Sequence, residues 1–425
     1  MSFQKNSVIL SLNPDTSEIS QLAESLGYKV VKTFFQKRLK PDVNTYMGPG
    51  KLKEIKEYIE ENKEINLVII DGELKPSQWF TVEKTLNIDV YDRIRLILAL
   101  FETRAERKEA KLQVKLAQLH YERPYVRELI HRARSGEHPG FMAGGEYQVD
   151  DYYEMIKKQM KKIRVDLEKI RTDRNLQRQT RYKSGFYLIS LAGYTNAGKS
   201  SLLNLLSKEN VKVEGKLFST LSTTTRKINH KPPTETFPIL LTDTVGFIRN
   251  LPAWVIDAFH STLEEIELAD VVLLVVDGSE AIKIVKDKLK TSFNELQTIG
   301  VTSPIIVVFN KTDLLDKHKI EDKIQKIKES DIPKDLVFRT ISVEKKKNIS
   351  LLIKTIYQSL PHLVNIKMKL PSSKHSQAFI SQLYDKTRII DIEYDKRITI
   401  KLECNSKIKE KLIAQCIQIN GTILK

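Results

Sequence analysis

Short apolar runs separated by amphipathic stretches dominate the first hundred residues: VILSL at 8–12, YKVVKTFF at 28–35 and NLVIID at 66–71. This alternation predicts a small parallel α/β domain. From Arg93 to His120 the apolar spacing becomes helical throughout, and a second helical run covers 150–182. The segment between them, SGEHPGFMAGGE at 135–146, is rich in turn formers, so the pair reads as a helical hairpin. A new apolar strand, FYLISLAGY, starts at Phe186 and opens a second α/β domain that runs to about Leu360. Its segments VVLLVVDGS and PIIVVFNK are continuously apolar, as parallel strands covered on both faces require. After Pro371 the pattern predicts a helix at 374–386, strands at 388–394 and 397–403, and a last helix at 405–417, a small α+β appendage. The expected division is 1–100, 101–184, 185–362 and 363–425.

A chain of 425 residues exceeds one ordinary hydrophobic core, which agrees with several domains. The formal net charge of +16 adds a functional constraint, because such an excess attracts polyanions: RNA, DNA or an anionic membrane surface. Lys and Arg are dense on the hairpin, where they read either as a solvated face or as an RNA-contacting arm. The only two cysteines, Cys404 and Cys416, form no CxxC, which speaks against a disulfide scaffold or a cysteine zinc site. No apolar run approaches a membrane span, and the N-terminus lacks the succession of a signal peptide. The expected location is cytoplasmic.

The strongest chemical signal is GYTNAGKS, formed by Gly193, Tyr194, Thr195, Asn196, Ala197, Gly198, Lys199 and Ser200. It matches GxxxxGK[ST] between a strand and a helix, the context of a phosphate-binding P-loop. Backbone N–H groups and the helix N-terminus stabilise phosphate charge, Lys199 reaches the β- and γ-phosphates, and the Ser200 hydroxyl ligates Mg²⁺. Asp243, Thr244, Val245 and Gly246 read DTVG at a strand end, where the aspartate holds the metal and the glycine N–H senses the γ-phosphate. Asn310, Lys311, Thr312 and Asp313 read NKTD after a buried strand. The Asp313 carboxylate can accept from guanine N1–H and the N2 amino group, a donor pair that adenine lacks, so the expected nucleotide is GTP or GDP. Ser342 and the Val343 N–H follow LVFRTIS, where the loop closes over guanine O6.

A threonine must reach both metal and γ-phosphate from a switch segment, here LFSTLSTTTRK at 217–227, with Phe218, Ser219, Thr220, Leu221 and Ser222 around the nucleotide. Thr220 is the preferred metal ligand and Thr224 the alternative. The catalytic set is then Lys199, Thr220 and Gly246, and the metal set Ser200, Thr220 and Asp243. Phe247 stands where Ras-like proteins have a water-orienting glutamine, so slow intrinsic hydrolysis is expected. Asn196 lies where K⁺-dependent GTPases carry an asparagine, which makes a K⁺ site a candidate.

The order of parts resembles the HflX family of P-loop GTPases over nearly the whole chain. The resemblance rests on GPGKLKEI from Gly48, the run RIRLILALFETRAERKEAKLQVKLAQLHY, LFSTLSTTTRK and DTVGFIRNLP; the tip HPGFMAGGEYQVDDYY departs from the usual GPGET-type loop. It implies a P-loop GTPase domain with an N-terminal α/β domain, a helical hairpin and an α+β appendage. It also implies a protein that binds the large ribosomal subunit and its RNA and helps split or rescue stalled ribosomes; a monomer without membrane or DNA partners is the further expectation. Arg104, Arg107, Lys111 and Lys115 are candidate RNA contacts or plain surface charges. The Gly48–Lys51 loop could hold an RNA phosphate or ATP at a second site, or be only a helix-starting turn. Two other functions stay open: a GTPase acting in tRNA modification or RNA processing, and a GTP-dependent protein adaptor.

Overall fold

A computed structural model of the chain describes residues 5–134, 145–183, 186–207, 224–228, 239–244, 246–248, 252, 254–255, 260–330, 332–333, 336–360 and 363–424. Two compact units divide the chain: the first holds residues 1–170 and takes in 251–259, and the second holds most of the rest.

The first unit opens with β1 (Lys5–Ser11), α1 (Ser17–Ser25), β2 (Tyr28–Phe35), α2 (Pro49–Glu61), β3 (Ile65–Ile70), α3 (Pro76–Leu86) and β4 (Val90–Asp92). The strands form a parallel sheet in the order β2-β1-β3-β4. Val8, Leu10, Val68 and Ile70 on the strands bury against Leu52 and Ile55 of α2 and Val82 and Leu86 of α3. The three-residue β4, too short to carry an apolar period, was not anticipated.

The continuous helix expected from Arg93 to His120 is two helices, α4 (Arg93–Arg104) and α5 (Lys108–Arg134). Asp92 caps α4 by accepting the Arg95 N–H at 2.8 Å. Ile94, Leu96, Ile97, Leu98, Leu100 and Phe101 are all buried, and α4 packs against α1 as well as α5. Apolar on nearly every side, α4 therefore belongs to the core of the sheet domain, and the chain turns extended at Ala105 before α5 begins. With α6 (Gly145–Lys183), α5 makes the expected hairpin, whose seam joins Leu119 and Val126 to Ile156, Met160 and Ile163. Most of the expected turn-rich tip, 135–144, lies outside the described residues.

The second unit contains β5 (Tyr187–Ala192), α7 (Lys199–Ser207), β6 (Thr224–Lys227), β7 (Ile239–Asp243), α8 (His260–Glu267), β8 (Val271–Asp277), α9 (Ile282–Ile299), β9 (Ile305–Asn310), α10 (Lys317–Lys328), β10 (Val337–Thr340) and α11 (Ile349–Ser359). Among the described residues its six strands run in the order β10-β9-β8-β5-β7-β6, all parallel to their neighbours except β6, which is antiparallel to β7. Ile189, Leu191, Leu273, Val275 and Val308 fill the interior together with Leu202 and Leu206 of α7 and Leu352 and Ile356 of α11.

The last part is β11 (Leu363–Pro371), α12 (Lys374–Lys386), β12 (Arg388–Tyr394), β13 (Arg397–Asn405), α13 (Ser406–Gln418) and β14 (Thr422–Leu424). This βαββαβ arrangement forms an antiparallel sheet in the order β12-β13-β11-β14, a ferredoxin-like plan. Two strands, β11 and β14, were missed. In β11 the buried Ile366, Met368 and Leu370 alternate with Asn365, Lys367 and Lys369 on the other face, a period of two whose polar half is mostly charged. Cys404 and Cys416 are free thiols buried in this core. Among the described residues, no helix is long and apolar enough to cross a membrane.

Candidate nucleotide-binding site

Three loops at the carboxyl ends of β5, β7 and β9 meet above the second sheet, the edge at which open parallel sheets bind ligands. The first is Gly193–Ser200. Gly193 and Gly198 adopt φ of 130° and 95°, and a Cβ would lie 2.2 Å from the Val275 carbonyl oxygen at the former and 2.2 Å from Asn310 Nδ2 at the latter. Both positions therefore demand glycine, for conformation and for space. Asn196, exposed, sits in the left-handed region at φ 63°.

Lys199 opens α7 and is buried, with its Nζ donating to the carbonyls of Gly193 at 2.9 Å and Tyr194 at 2.7 Å. Burial pulls its pKa down to about 8, and the nearby Asp243 carboxylate offsets this only in part. A buried ammonium resting on carbonyls of its own loop is poised for a stronger anionic partner. Ser200 Oγ donates to Asp243 Oδ2 at 2.6 Å. The two side chains expected to face the metal are thus adjacent and offer hard oxygen donors, which suit Mg²⁺. Among the described residues no cluster of three or more His, Cys, Asp or Glu could hold a metal by itself. A hydroxyl and one carboxylate fit an ion that takes its remaining ligands from phosphate and water.

Gly246 and Phe247 close on this loop. The Phe247 N–H donates to the Gly193 carbonyl at 3.0 Å, and the Thr195 N–H to the Phe247 carbonyl at 3.4 Å. A Cβ on Gly246 would lie 2.9 Å from Lys199 Nζ and 2.8 Å from Thr195 Cγ2, so glycine is what lets the two loops touch. Phe247 is buried and brings no polar group. Farther along, Trp254 groups with the first unit, where it stacks on His120 of α5 with ring centroids 4.7 Å apart and planes 23° from parallel.

Asn310 joins the third loop to the first by donating from Nδ2 to the Ala197 carbonyl at 2.9 Å, while its Oδ1 accepts the Val343 N–H at 3.2 Å. Lys311, at φ 61°, pairs with Asp277 at 2.6 Å, and the buried Thr312 donates to the Ile341 carbonyl at 2.8 Å. Asp313 is exposed; one carboxylate oxygen accepts from Ser342 Oγ at 2.5 Å, the main reason its pKa is lowered. Ser342 in turn takes the Lys345 N–H at 3.0 Å. This geometry steadies a charged carboxylate as an acceptor.

The structure thus brings together Gly193–Ser200, Asp243, Gly246, Asn310–Asp313, Ser342 and Val343; the buried Thr244 donates to the Leu191 carbonyl at 2.6 Å. Thr224 lies on β6 across from Asp243. Phe218, Ser219, Thr220, Leu221, Ser222 and Val245 lie outside the described residues. Asp277, at the end of VVLLVVDGS, was missed as a partner of Lys311. At the candidate second site, Lys51 is paired with Glu54 at 2.7 Å and the Gly48 N–H donates to Gln36 Oε1 at 2.8 Å. With Pro49 opening α2, the loop there has the geometry of a helix-starting turn.

Comparison with known proteins gives the family of the chain. Residues 13–102 match the family described as GTP-binding GTPase N-terminal, 104–181 the GTP-binding GTPase middle region, and 188–311 the 50S ribosome-binding GTPase family. The GTPase HflX of Thermococcus kodakarensis is 44% identical over 357 residues, covering 84% of this chain and 78% of its own. That of Methanocaldococcus jannaschii is 40% identical over 384 residues, covering 90% and 91%. A GTP-binding protein from Sulfolobus solfataricus, solved in complex with GDP, aligns at 30% identity with a TM-score of 0.46, over 84% of this chain and 98% of its own.

Proposed function

Because the chain belongs to the HflX GTPases, we propose that it is a GTP switch that docks on the large ribosomal subunit and serves in splitting or rescue of stalled ribosomes. The observation that carries the ribosomal part is the match of 188–311 to the 50S ribosome-binding GTPases. The net charge of +16 supports an RNA-rich partner. The same reading places the protein in the cytoplasm and keeps the division into 1–100, 101–184, 185–362 and 363–425.

In this reading Lys199 leaves the Gly193 and Tyr194 carbonyls for the β- and γ-phosphates, and the P-loop N–H groups cradle them. Ser200 and Asp243 would hold Mg²⁺, with Thr220 as the third residue of the set in the GTP state. Bound there, the ion would supply positive charge against the negative charge of the phosphates. Gly246 offers its N–H to the γ-phosphate, which requires its segment to adjust its hold on Gly193 and Thr195. Phe247 cannot orient water, so turnover is slow until a partner completes the site.

Sedimentation with separated ribosomal subunits, in GDP and in a non-hydrolysable GTP analogue, tests the proposal. We expect co-sedimentation with the large subunit that is stronger with the analogue. Equal or absent association in both states refutes it.

A further inference from the structure

Helices α3, α4, α5 and α6 and strand β4 of the first unit line an open cavity of about 370 Å³ that the GTP switch does not use. This lies in the range of roughly 300–1,000 Å³ typical of small-ligand pockets. Its walls include Trp79, Tyr91, Tyr121 and Tyr125, with Tyr152 at the rim, 42% exposed. Trp79 meets Tyr125 edge to face at 5.3 Å.

The polar groups of the lining fall into two classes. The Tyr125 hydroxyl donates to the Leu74 carbonyl at 3.0 Å and pairs with the Tyr121 hydroxyl at 2.8 Å, while Arg95 lies over the Tyr91 ring at 4.3 Å and reaches the Val90 carbonyl at 3.2 Å. Glu102 accepts from Gln118 at 2.8 Å. Two groups are left over. The Trp79 indole N–H is buried without a partner, and Glu122, half-buried, makes no hydrogen bond or ion pair among the described residues. Burial raises the Glu122 pKa, with Lys115 and Arg95 opposing. A buried donor with nothing to donate to and a half-buried carboxylate without a hydrogen-bonded partner line the same cavity, which marks a place shaped for something else.

We propose that this cavity holds a guanine base, its ring among the aromatic side chains, its N1–H and N2 amino group on Glu122, and its acceptor edge served by Trp79 or Arg95. A flat heterocycle suits aromatic walls. A carboxylate needs two adjacent donors, which guanine presents and adenine and uracil do not. The unmatched bases would leave Glu122 desolvated and unpaired. The base could belong to an unpaired nucleotide of RNA or to a free guanine nucleotide. The proposal stands apart from the ribosomal reading, since subunit sedimentation can succeed or fail without it.

The test uses the full chain carrying one equivalent of GDP, with unbound nucleotide removed, so that the site at Asp313 is filled while the cavity stays open to the probes. Trp254→Phe leaves Trp79 as the sole tryptophan, since the chain has two. The probes are GMP, AMP and UMP, and uridine oligomers carrying one central guanosine or adenosine. Trp79 fluorescence should be quenched saturably, with guanine bound at least about tenfold tighter than the other bases. Preference seen only in the oligomers assigns the base to RNA, and preference among mononucleotides assigns it to free nucleotide; both uphold the pocket. Glu122→Gln should erase the preference while GDP binding and the melting curve stay unchanged. Equal response to all bases, or a guanine preference that survives Glu122→Gln, overturns it.

Discussion

Two of the sheets are built mainly of parallel strands, and each has a glycine- and lysine-containing loop leading into a helix, yet only one has a carboxyl edge ready for a nucleotide. In the first sheet that edge is filled from within. Ser11 Oγ donates to Asp71 Oδ2 at 3.0 Å, Arg93 joins Asp71 at 3.0 Å to Glu18 at 2.9 Å, and the Tyr46 hydroxyl donates to the Asp71 carbonyl at 2.9 Å. A Cβ on Gly72 would lie 2.3 Å from that hydroxyl, so the packing is tight. In the second sheet the polar groups are also engaged, but with partners that a ligand can displace: Lys199 rests on neutral carbonyls and Ser200 on Asp243. Breaking a buried ion pair is costly, whereas exchanging a carbonyl for a phosphate is favourable to a buried ammonium. The difference between a plugged crevice and a site is the kind of bond that fills it.

The comparison breaks most visibly at Lys199. Lys199→Ala removes the buried cation from the phosphates, and losing one partner of a buried charged pair corresponds to a drop in GTP affinity on the order of a thousandfold. Calorimetric titration with GTP or GDP measures it. Retained binding would show that the loop carbonyls, and not phosphate, are the true partners of this lysine.

Asp313→Asn comes next. The amide keeps one acceptor for N1–H but presents a donor to the guanine amino group, so GTP affinity should fall by about a hundredfold while xanthosine triphosphate gains. Competition between the two nucleotides reads the exchange. Unchanged GTP preference would mean that Asp313, held by Ser342, serves only to fold its loop.

Much of this contrast was legible in the chain. GYTNAGKS, DTVG and NKTD each follow an apolar strand, and the structure draws them together because parallel strands deliver their carboxyl ends to one edge. The plug in the first sheet was not legible: Arg93, Asp71, Glu18 and Tyr46 are far apart in sequence, and their pairing depends on tertiary packing. The break at 105–107 was hidden because α4 and α5 are each helical in composition, although one is buried almost all round and the other along a seam. Asp277 went unassigned because a strand-end aspartate has many roles, and only the 2.6 Å contact with Lys311 selects one.

A milder way to sharpen the comparison is pH. Lys199 has a pKa of about 8 without nucleotide, and phosphate contact raises it, so binding takes up a proton wherever the free lysine is neutral. Affinity should be level below that pKa and fall above it, by up to about tenfold per pH unit. Titration of GDP at pH 8.5 in buffers of different ionisation enthalpy should register uptake of roughly 0.7 proton, and near zero at pH 7. Uptake absent at pH 8.5 would mean that Lys199 is already fully charged on its carbonyls.

The smallest effect is expected at the other lysine. Lys51 is paired with Glu54 on its own helix, an exposed contact one turn apart that contributes about 0.3–0.5 kcal/mol. Lys51→Ala should therefore leave GTP affinity within about twofold and lower the melting temperature by no more than a degree or two. Nothing in the Gly48 turn depends on this side chain, since the Gly48 N–H is held by Gln36 and Pro49 sets the first helical residue. If Lys51→Ala instead abolished binding of a nucleotide to protein whose Asp313 site is already filled with GDP, the two glycine-lysine loops would be functional equivalents and the distinction between plugged and open edges would fail.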